Sequence, residues 1–377
     1  MIPLKTNNYY HMKINRLHSL DAFRGFTIAA MILVNFPGNW DHVYSPLSHS
    51  EWFGISFTDL VAPFFLFVVG VSIALAYTKR IEVGVEPKLI YRKLFSRAVK
   101  IFAVGMFLNI LAILPELEAS EIRWTGTLHR IAIVFLVCGV LFLKFSWKGQ
   151  AIIGGTILIV YWIVMTMIPT PGYEKAMLEP GINMAAWIDN KFLPGKLWQG
   201  NWDPEGILST FPAIVSGISG MLVGKIIVSD RTWERKIIQM FIWGFGAFVA
   251  GIAWNWNFPL NENIWTSSFV LVTSGMASMT LAACVYLVDI LHYRKWAEFG
   301  IIYGMNAITV YVLADIFAFI FYGLNFKGAS LNEHFFDFFT SMGVAAKFAS
   351  MTYGILYVLI NFIPAYLLFR KRIFIKL

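Results

Sequence analysis

Charged residues are scarce in this sequence. Only 14% of its 377 residues are Asp, Glu, Lys or Arg, whereas 58% are hydrophobic. A soluble domain carries about 25% charged residues, so an apolar excess of this size excludes a soluble globular protein. The alternation of apolar and polar residues that a membrane β-barrel needs is also lacking, because the apolar runs are continuous and about 20 residues long. The sequence therefore predicts an all-α, polytopic integral membrane protein.

Cysteine is almost absent, and no histidine pattern typical of a metal site is present. Cys138 and Cys284 both lie inside apolar runs, which is typical of small buried residues rather than of a disulfide or a metal pair. The seven histidines show no ligand spacing, so we predict no metal. The net charge is +8, but its distribution along the chain argues against a nucleic-acid partner.

The apolar runs predict about ten membrane-spanning helices in a single domain, residues 1–377. Their approximate bounds are 22–36, 59–78, 98–115, 126–144, 150–168, 207–228, 235–255, 264–290, 299–322 and 349–369. If the N-terminus is cytoplasmic, most of the 30 Lys and Arg fall in cytoplasmic segments, among them Lys5, Lys13, Arg16 and Lys376. This bias follows the positive-inside rule and predicts that both termini are cytoplasmic.

Two external connections are long in this topology, residues 169–206 and 323–348. The first mixes Pro, Gly and Trp with acidic residues and predicts an ordered external cap. The second contains Phe335-Phe336-Asp337-Phe338-Phe339, a pattern typical of a short amphipathic helix at the membrane interface. No second soluble domain and no internal repeat is evident.

Polar side chains gather at the ends of the first two apolar runs, between Leu20 and Tyr77. They are Asp21, Arg24, Asn35, His42, His49 and Asp59. Either histidine is a candidate general base, because the unperturbed pKa of imidazole suits proton transfer near neutral pH. Asp59 is either a helix N-cap or the carboxylate that orients an imidazole. Asn35 is either a C-cap or a donor to an oxyanion.

Several other polar residues also allow two interpretations. Asp21 and Arg24 are spaced to pair with each other. The basic segment Lys79–Lys100, which includes Lys93 and Arg97, either attracts anionic lipid or binds the phosphates of a cytosolic ligand. Arg130 is expected to face the bundle interior and to pair with Glu205 or Asp59. Asn306 is either a link between helices or part of the site, and Asp315 has no role that the sequence indicates.

Ordered motifs along the chain resemble one known family. They are Leu20-Asp21-Ala22-Phe23-Arg24-Gly25, Val34-Asn35, His49-Ser50-Glu51-Trp52-Phe53-Gly54, Thr58-Asp59-Leu60-Val61-Ala62-Pro63-Phe64, Gly126-Thr127-Leu128-His129-Arg130, Asp203-Pro204-Glu205-Gly206-Ile207-Leu208-Ser209-Thr210, Trp265-Thr266-Ser267-Ser268 and Gly304-Met305-Asn306. On this series the chain resembles the heparan-α-glucosaminide N-acetyltransferase family and its bacterial DUF5009, or NagX-like, members.

The resemblance implies an enzyme that takes acetyl from cytosolic acetyl-CoA and transfers it to the amine of a glucosamine-type sugar at the periplasmic face of a bacterial inner membrane. By the family's motifs the catalytic residues fall on His49 and Asn35. We expect Asp59, Arg130, Glu205 and Asn306 to support them. Arg24, Asp21, Ser267, Lys93 and Arg97 are the expected cofactor-binding residues. Family likeness also suggests a homodimer.

The interval between Asn35 and His49 departs from the family, because it contains Pro37, Asp41, His42 and Pro46 where the family's interval is shorter. His42 therefore stays a second candidate for the working base. The residues leave open whether the acetyl group passes directly from acetyl-CoA to the sugar amine or first forms an acetyl-histidine intermediate. Two other functions also stay open, a transporter of N-acetylated amino sugars and an O-acyltransferase of a cell-envelope glycan.

Overall fold

The computed structural model describes residues 17–113 and 118–375, and within these ranges the regular secondary structure is helical apart from one small hairpin. The first seven helices are α1 His18–Asn35, α2 Val61–Glu82, α3 Pro87–Ala112, α4 Thr127–Lys144, α5 Trp147–Met167, α6 Met184–Phe192 and α7 Ile207–Val228. The remaining helices are α8 Trp233–Trp254, α9 Ser267–Cys284, α10 Arg294–Met305, α11 Ala307–Ala318, α12 Leu331–Ser341 and α13 Ala346–Arg370. Two π-helical turns, Val285–Ile290 and Phe319–Gly323, extend α9 and α11, and β1 Asn325–Phe326 pairs with β2 Ala329–Ser330.

Eight helices in the described ranges are long and apolar enough to cross a membrane, and one bent pair brings the number to nine. The prediction of an all-α, polytopic membrane fold is therefore confirmed, with a lower count than the ten spans expected. The span predicted at 22–36 corresponds to α1, which is not among the eight, and whose Asp21 and Arg24 lower its apolar character. The span predicted at 299–322 is broken into α10 and α11, which meet at an angle of 74°.

The basic segment predicted as a cytoplasmic connection is largely helical. It covers the end of α2, a short turn and the beginning of α3, which starts at Pro87 rather than near residue 98. Pro suits the first position of a helix because its missing N–H is not needed there. The basic residues Lys5, Lys13, Arg16 and Lys376, and the end of the span predicted at 98–115, lie outside the described residues, so the orientation of the termini stays a prediction.

Close helix crossings hold α1 and α2 in the bundle. A Cβ on Gly25 of α1 would overlap the carbonyl oxygen of Gly300 on α10. In the same way a Cβ on Gly70 of α2 would overlap the carbonyl oxygen of Gly217 on α7. Small residues allow this backbone-to-backbone approach between apolar helices. The N-terminus of α1 is also fixed, because the Asp289 carboxylate accepts hydrogen bonds from the first two described N–H groups of the helix, at 3.2 and 3.1 Å.

Both long connections contain ordered structure. The connection at 169–206 holds α6, and the connection at 323–348 holds the β1–β2 hairpin and α12. The predicted amphipathic helix therefore exists as α12, and its N-terminus is closed by a capping box between Ser330 and Glu333.

Candidate active site

One imidazole and two carboxylates form the centre of the site. His49 Nδ1 lies 2.8 Å from Asp59 Oδ1 and 2.6 Å from Glu262 Oε2. Because both carboxylates meet the same nitrogen, Nε2 is the nitrogen that can face a substrate. The sequence predicted the contact with Asp59 as one of two interpretations, but gave no indication of Glu262.

Asp59 is held by the segment just before α2. Its carboxylate accepts hydrogen bonds from the Ser56 N–H at 2.7 Å and from the Ser50 hydroxyl at 2.8 Å. The side chain is fully buried. Of the two roles that the sequence suggested, the structure shows the contact with the imidazole. The helix N-cap role is wrong, because the Ser56 N–H that donates to this carboxylate comes before Asp59 in the chain, and no N–H of the described helix α2 donates to it.

Glu262 comes from the connection between α8 and α9. This connection is attached to the histidine segment by a hydrogen bond from the Gly54 N–H to the Leu260 carbonyl, 2.8 Å long. Burial raises the pKa of Glu262 to about 7, although the contact with His49 opposes the shift. Burial alone would lower the pKa of His49, but the hydrogen bonds that its ring donates to the Asp59 and Glu262 carboxylates outweigh it and raise that pKa to about 10.

These three residues also form a set that could hold a metal ion, because their ligand atoms lie within 4.8 Å of one another. The separations of 2.6 and 2.8 Å are hydrogen-bond lengths. Ligands about 2.1 Å from a tetrahedral Zn²⁺ would be about 3.4 Å apart. The geometry thus favours a hydrogen-bonded cluster, and the absence of a metal stays a prediction.

A cavity of about 1060 Å³ opens beside this cluster, and we call it the His49 cavity. Asn35, at the end of α1, lines it together with His49. Trp52, Trp198 and Trp202 add aromatic surface to its wall. His42 does not line this cavity; its ring is exposed and stacks on Phe336 of α12 with the ring centroids 5.4 Å apart.

An ion-pair network holds the wall of the His49 cavity next to α4. Arg123 donates to both carboxylate oxygens of Asp203 at 2.8 and 2.6 Å, and to Glu205 at 2.5 Å. Burial lowers the pKa of Arg123, but these acidic partners outweigh it and raise that pKa above its ordinary value. Glu205, predicted as a supporting residue, therefore binds Arg123, a residue that the sequence analysis did not single out.

Arg130 has different partners from those expected. Its guanidinium donates to the Pro204 carbonyl and to the Ser209 hydroxyl, each at 2.6 Å, and lies 4.8 Å from the ring centroid of Trp265. The expected hydrogen-bonded pairing with Glu205 or Asp59 is wrong, because Arg123 and His49 occupy those two carboxylates. Arg130 still faces the bundle interior, as predicted for a buried charge on this helix.

A second cavity, of about 1390 Å³, lies at the other end of α1, and we call it the Arg24 cavity. Arg24, Arg97 and Asp21 line it. Arg24 pairs with Asp21 at 3.3 Å and donates to the Ser72 hydroxyl at 2.6 Å. The predicted Asp21–Arg24 pair is therefore present, and a basic wall of the kind that suits phosphate oxygens is present beside it.

Asn306 lies at the break between α10 and α11 and also lines the Arg24 cavity. Its amide donates to the Ile373 carbonyl at 3.1 Å and accepts from the Ile375 N–H at 2.9 Å. The residue thus joins the helix break to the segment that follows α13, which is a linking role like the one that the sequence allowed.

Two predicted cofactor residues do not line the Arg24 cavity. Lys93 is exposed on α3. Ser267 is fully buried, and its hydroxyl donates to the Leu158 carbonyl of α5 at 2.8 Å. The motif around Ser267 therefore holds two helices together, because a buried hydroxyl needs a hydrogen-bond partner.

The two cavities share part of one wall inside the bundle. Phe65 and Ile131 line both of them. Asp21, in the Arg24 cavity, and Asn35, in the His49 cavity, are about 21 Å apart along α1 at 1.5 Å per residue. The bundle therefore contains a basic cavity and a cavity lined by an imidazole, with two buried apolar side chains between them.

Comparison with known proteins places this chain in a known family. Residues 16–239 match the family model described as heparan-alpha-glucosaminide N-acetyltransferase, catalytic. The chain is 27% identical to the human heparan-alpha-glucosaminide N-acetyltransferase over 96% of its own length, and 28% identical to the mouse protein over the same share. It spans 60% of the length of the human relative and 61% of the mouse relative. This chain belongs to the heparan-alpha-glucosaminide N-acetyltransferase family.

Proposed function

We propose that the protein is a membrane acetyltransferase that moves acetyl from cytosolic acetyl-CoA to the amine of a glucosamine-type sugar on the periplasmic side of a bacterial inner membrane. The observation that carries this proposal is the pair of cavities that share Phe65 and Ile131 as wall residues. A donor with a phosphate-bearing end and a long arm would reach from one cavity to the other between these two side chains. The names of the human and mouse relatives indicate the acetyl group and the amino sugar as the chemistry to test.

The Arg24 cavity suits the nucleotide end of the donor. Arg24 and Arg97 supply guanidinium groups to its wall, and guanidinium matches the geometry of phosphate oxygens. From there the pantetheine arm would pass between Phe65 and Ile131 and bring the thioester into the His49 cavity. The positive-inside bias predicts that the Arg24 end is cytoplasmic, which is the side where acetyl-CoA is found.

The chemistry needs a base and an oxyanion donor at the thioester. The acceptor ammonium must lose a proton before its nitrogen can attack, and His49 Nε2 is the group available to take it. The nitrogen then forms a bond to the acetyl carbon while the carbon–sulfur bond breaks, and the CoA thiolate takes up a proton. Asn35 would donate to the developing oxyanion, and such a donor contributes about 3–4 kcal/mol to transition-state stabilisation.

The test is transfer of labelled acetyl from acetyl-CoA to glucosamine by the purified protein in detergent. We expect N-acetylated sugar as the product, loss of transfer in His49→Ala, and retained transfer in the matched variant His42→Ala, which lies outside the His49 cavity. Proteoliposomes with acetyl-CoA and the sugar on opposite sides test the sidedness. Label on a sugar hydroxyl would contradict this proposal and indicate O-acylation. Sugar flux into the proteoliposomes without any CoA would indicate transport instead.

A further inference from the structure

Asp315 of α11 lies on the face of this helix that lines the His49 cavity. Residues that share this cavity wall recur at the spacing of one helix face and continue into the following π-turn; they are Tyr311, Asp315, Ala318, Phe319 and Tyr322. Positions separated by three, four, seven or eight residues lie on the same side of a helix. The Asp315 carboxylate is therefore turned towards the space that His49 and Asn35 also face.

The other charged side chains of the cavity interior have protein partners. Arg123 binds Asp203 and Glu205, Arg130 binds a carbonyl and a hydroxyl, and Glu262 binds His49. Glu51 also lines the cavity but is exposed.

Asp315 differs from all of these. Its carboxylate forms no hydrogen bond or ion pair with any residue in the ranges 17–113 and 118–375. The side chain is half-buried, next to the phenols of Tyr311 and Tyr357. A carboxylate that is partly removed from water is costly unless a cation or a proton compensates it.

We propose that Asp315 binds the ammonium group of the acceptor sugar and so selects an amine over a hydroxyl. The inference rests on the proposed function, since it takes the acceptor to be a primary amine. A protonated amine supplies the cation that this carboxylate lacks, and the charge-assisted hydrogen bond would hold the nitrogen in the His49 cavity. Acetylation turns the ammonium into a neutral amide, so the product loses the ion pair and leaves more readily than the substrate.

The experiment measures the binding of glucosamine, N-acetylglucosamine and glucose to the purified protein by calorimetry, without acetyl-CoA. In Asp315→Asn we expect the Kd of glucosamine to rise by about tenfold or more, as for the loss of one charge-assisted hydrogen bond. The Kd of each neutral sugar should stay unchanged. Asp315→Glu, which keeps the charge, should restore part of the affinity.

The matched control is Asp337→Asn, which makes the same charge change on the exposed face of α12, outside the cavity. It should leave every Kd at the wild-type value. Equal glucosamine affinity in Asp315→Asn and the wild type would overturn the inference, as would an equal loss of affinity for glucose. If Asp315→Asn does not fold, the comparison of Asp315→Glu with Asp315→Ala takes its place. Asp315-dependent glucosamine binding without any acetyl transfer would refute the proposed function and leave this inference standing.

Discussion

At His49 two carboxylates share one imidazole nitrogen, and this sets the protonation state of the ring. Burial opposes the charge, but Asp59 and Glu262 raise the pKa of His49 to about 10, so the imidazolium is the main form at neutral pH. A base must be unprotonated to accept a proton. The proposed transfer should therefore become faster as the pH rises from 7 towards 10, until His49 is mostly neutral.

Glu262→Gln should move this pH dependence to lower pH. The substitution keeps the size of the side chain but removes one of the two negative charges that favour the imidazolium. The pKa of His49 then falls, and the rise in kcat/KM with pH should begin at a lower pH than in the wild type.

The matched control for Glu262→Gln is Glu51→Gln, which removes a carboxylate from the rim of the same cavity. Its pH profile should coincide with that of the wild type. A profile of Glu262→Gln with an unchanged midpoint would show that this carboxylate does not set the pKa of His49.

Asp203→Asn should destabilise the protein. Asp203 is fully buried and accepts two hydrogen bonds from Arg123, so the substitution weakens the pairing of a buried cation. Breaking a buried ion pair costs about 3–5 kcal/mol, and we expect the lower end because Glu205 still binds Arg123. The midpoint of thermal unfolding in detergent measures the loss.

Glu121→Gln is the matched control for that substitution. It breaks the ion pair with Lys196, in which the two side chains are 42% and 60% exposed. An exposed pair contributes about 0–1 kcal/mol, so this midpoint should hardly move. Similar shifts in both variants would contradict the structural role assigned to Asp203.

The candidate site was predictable where its residues lie near one another in the chain. His49, Asp59 and Asn35 flank one helical hairpin, and their residue types indicate their chemistry. Glu262 and Arg123 were not predictable, because each is a single charged residue in a connection whose partners come from distant segments. Only the folded chain brings these pairs to within hydrogen-bond distance.

At the scale of the helices, Gly70→Ala tests the crossing between α2 and α7. The added methyl group would overlap the Gly217 carbonyl, so the two helices must move apart. Overpacking of this kind costs about 1–3 kcal/mol. Lower thermal stability in detergent is the expected result.

Gly246→Ala provides the comparison for this substitution. A Cβ at Gly246 on α8 has no neighbour within 4 Å among the described residues, so stability should be unchanged or slightly higher, because alanine favours helix formation. Equal midpoints for the two alanine variants would mean that the α2–α7 crossing tolerates a methyl group.

Hydropathy predicted most helices well and failed at one break. The span expected at 207–228 is α7. The span expected at 299–322 bends by 74° at Asn306, although its apolar pattern continues across the break. At the bend Asn306 forms hydrogen bonds with residues 373 and 375, and a pattern within one segment carries no information about such distant partners.

At the scale of the whole molecule, Ile131→Phe should separate donor binding from transfer. Ile131 is buried and lines both cavities, so a larger side chain would narrow the proposed passage of the acyl arm. We expect acetyl transfer to fall about 100-fold or more, which corresponds to roughly 3 kcal/mol. The stabilisation of the protein by CoA should be retained, because the nucleotide end would bind in the Arg24 cavity.

The matched variant is Ile133→Phe. Ile133 lies two residues further along α4 and is 39% exposed, so its enlarged side chain stays outside the path. Transfer should be close to that of the wild type. If CoA no longer stabilises the Ile131→Phe protein, the substitution prevents the whole donor from binding and does not act only on the passage of its arm.

In the proposed reaction, the close crossing of α1 with α10 would also limit which donors can react. Because this crossing holds α1 in place, the distance along α1 between Asp21 and Asn35 is fixed at about 21 Å. A thioester on a truncated carrier could bind in the Arg24 cavity through its carrier part, or its acetyl group could reach the imidazole. It could not do both at once. The protein would therefore select its donor by length. Short acetyl thioesters should be poor substrates even though they carry the same reactive group as acetyl-CoA.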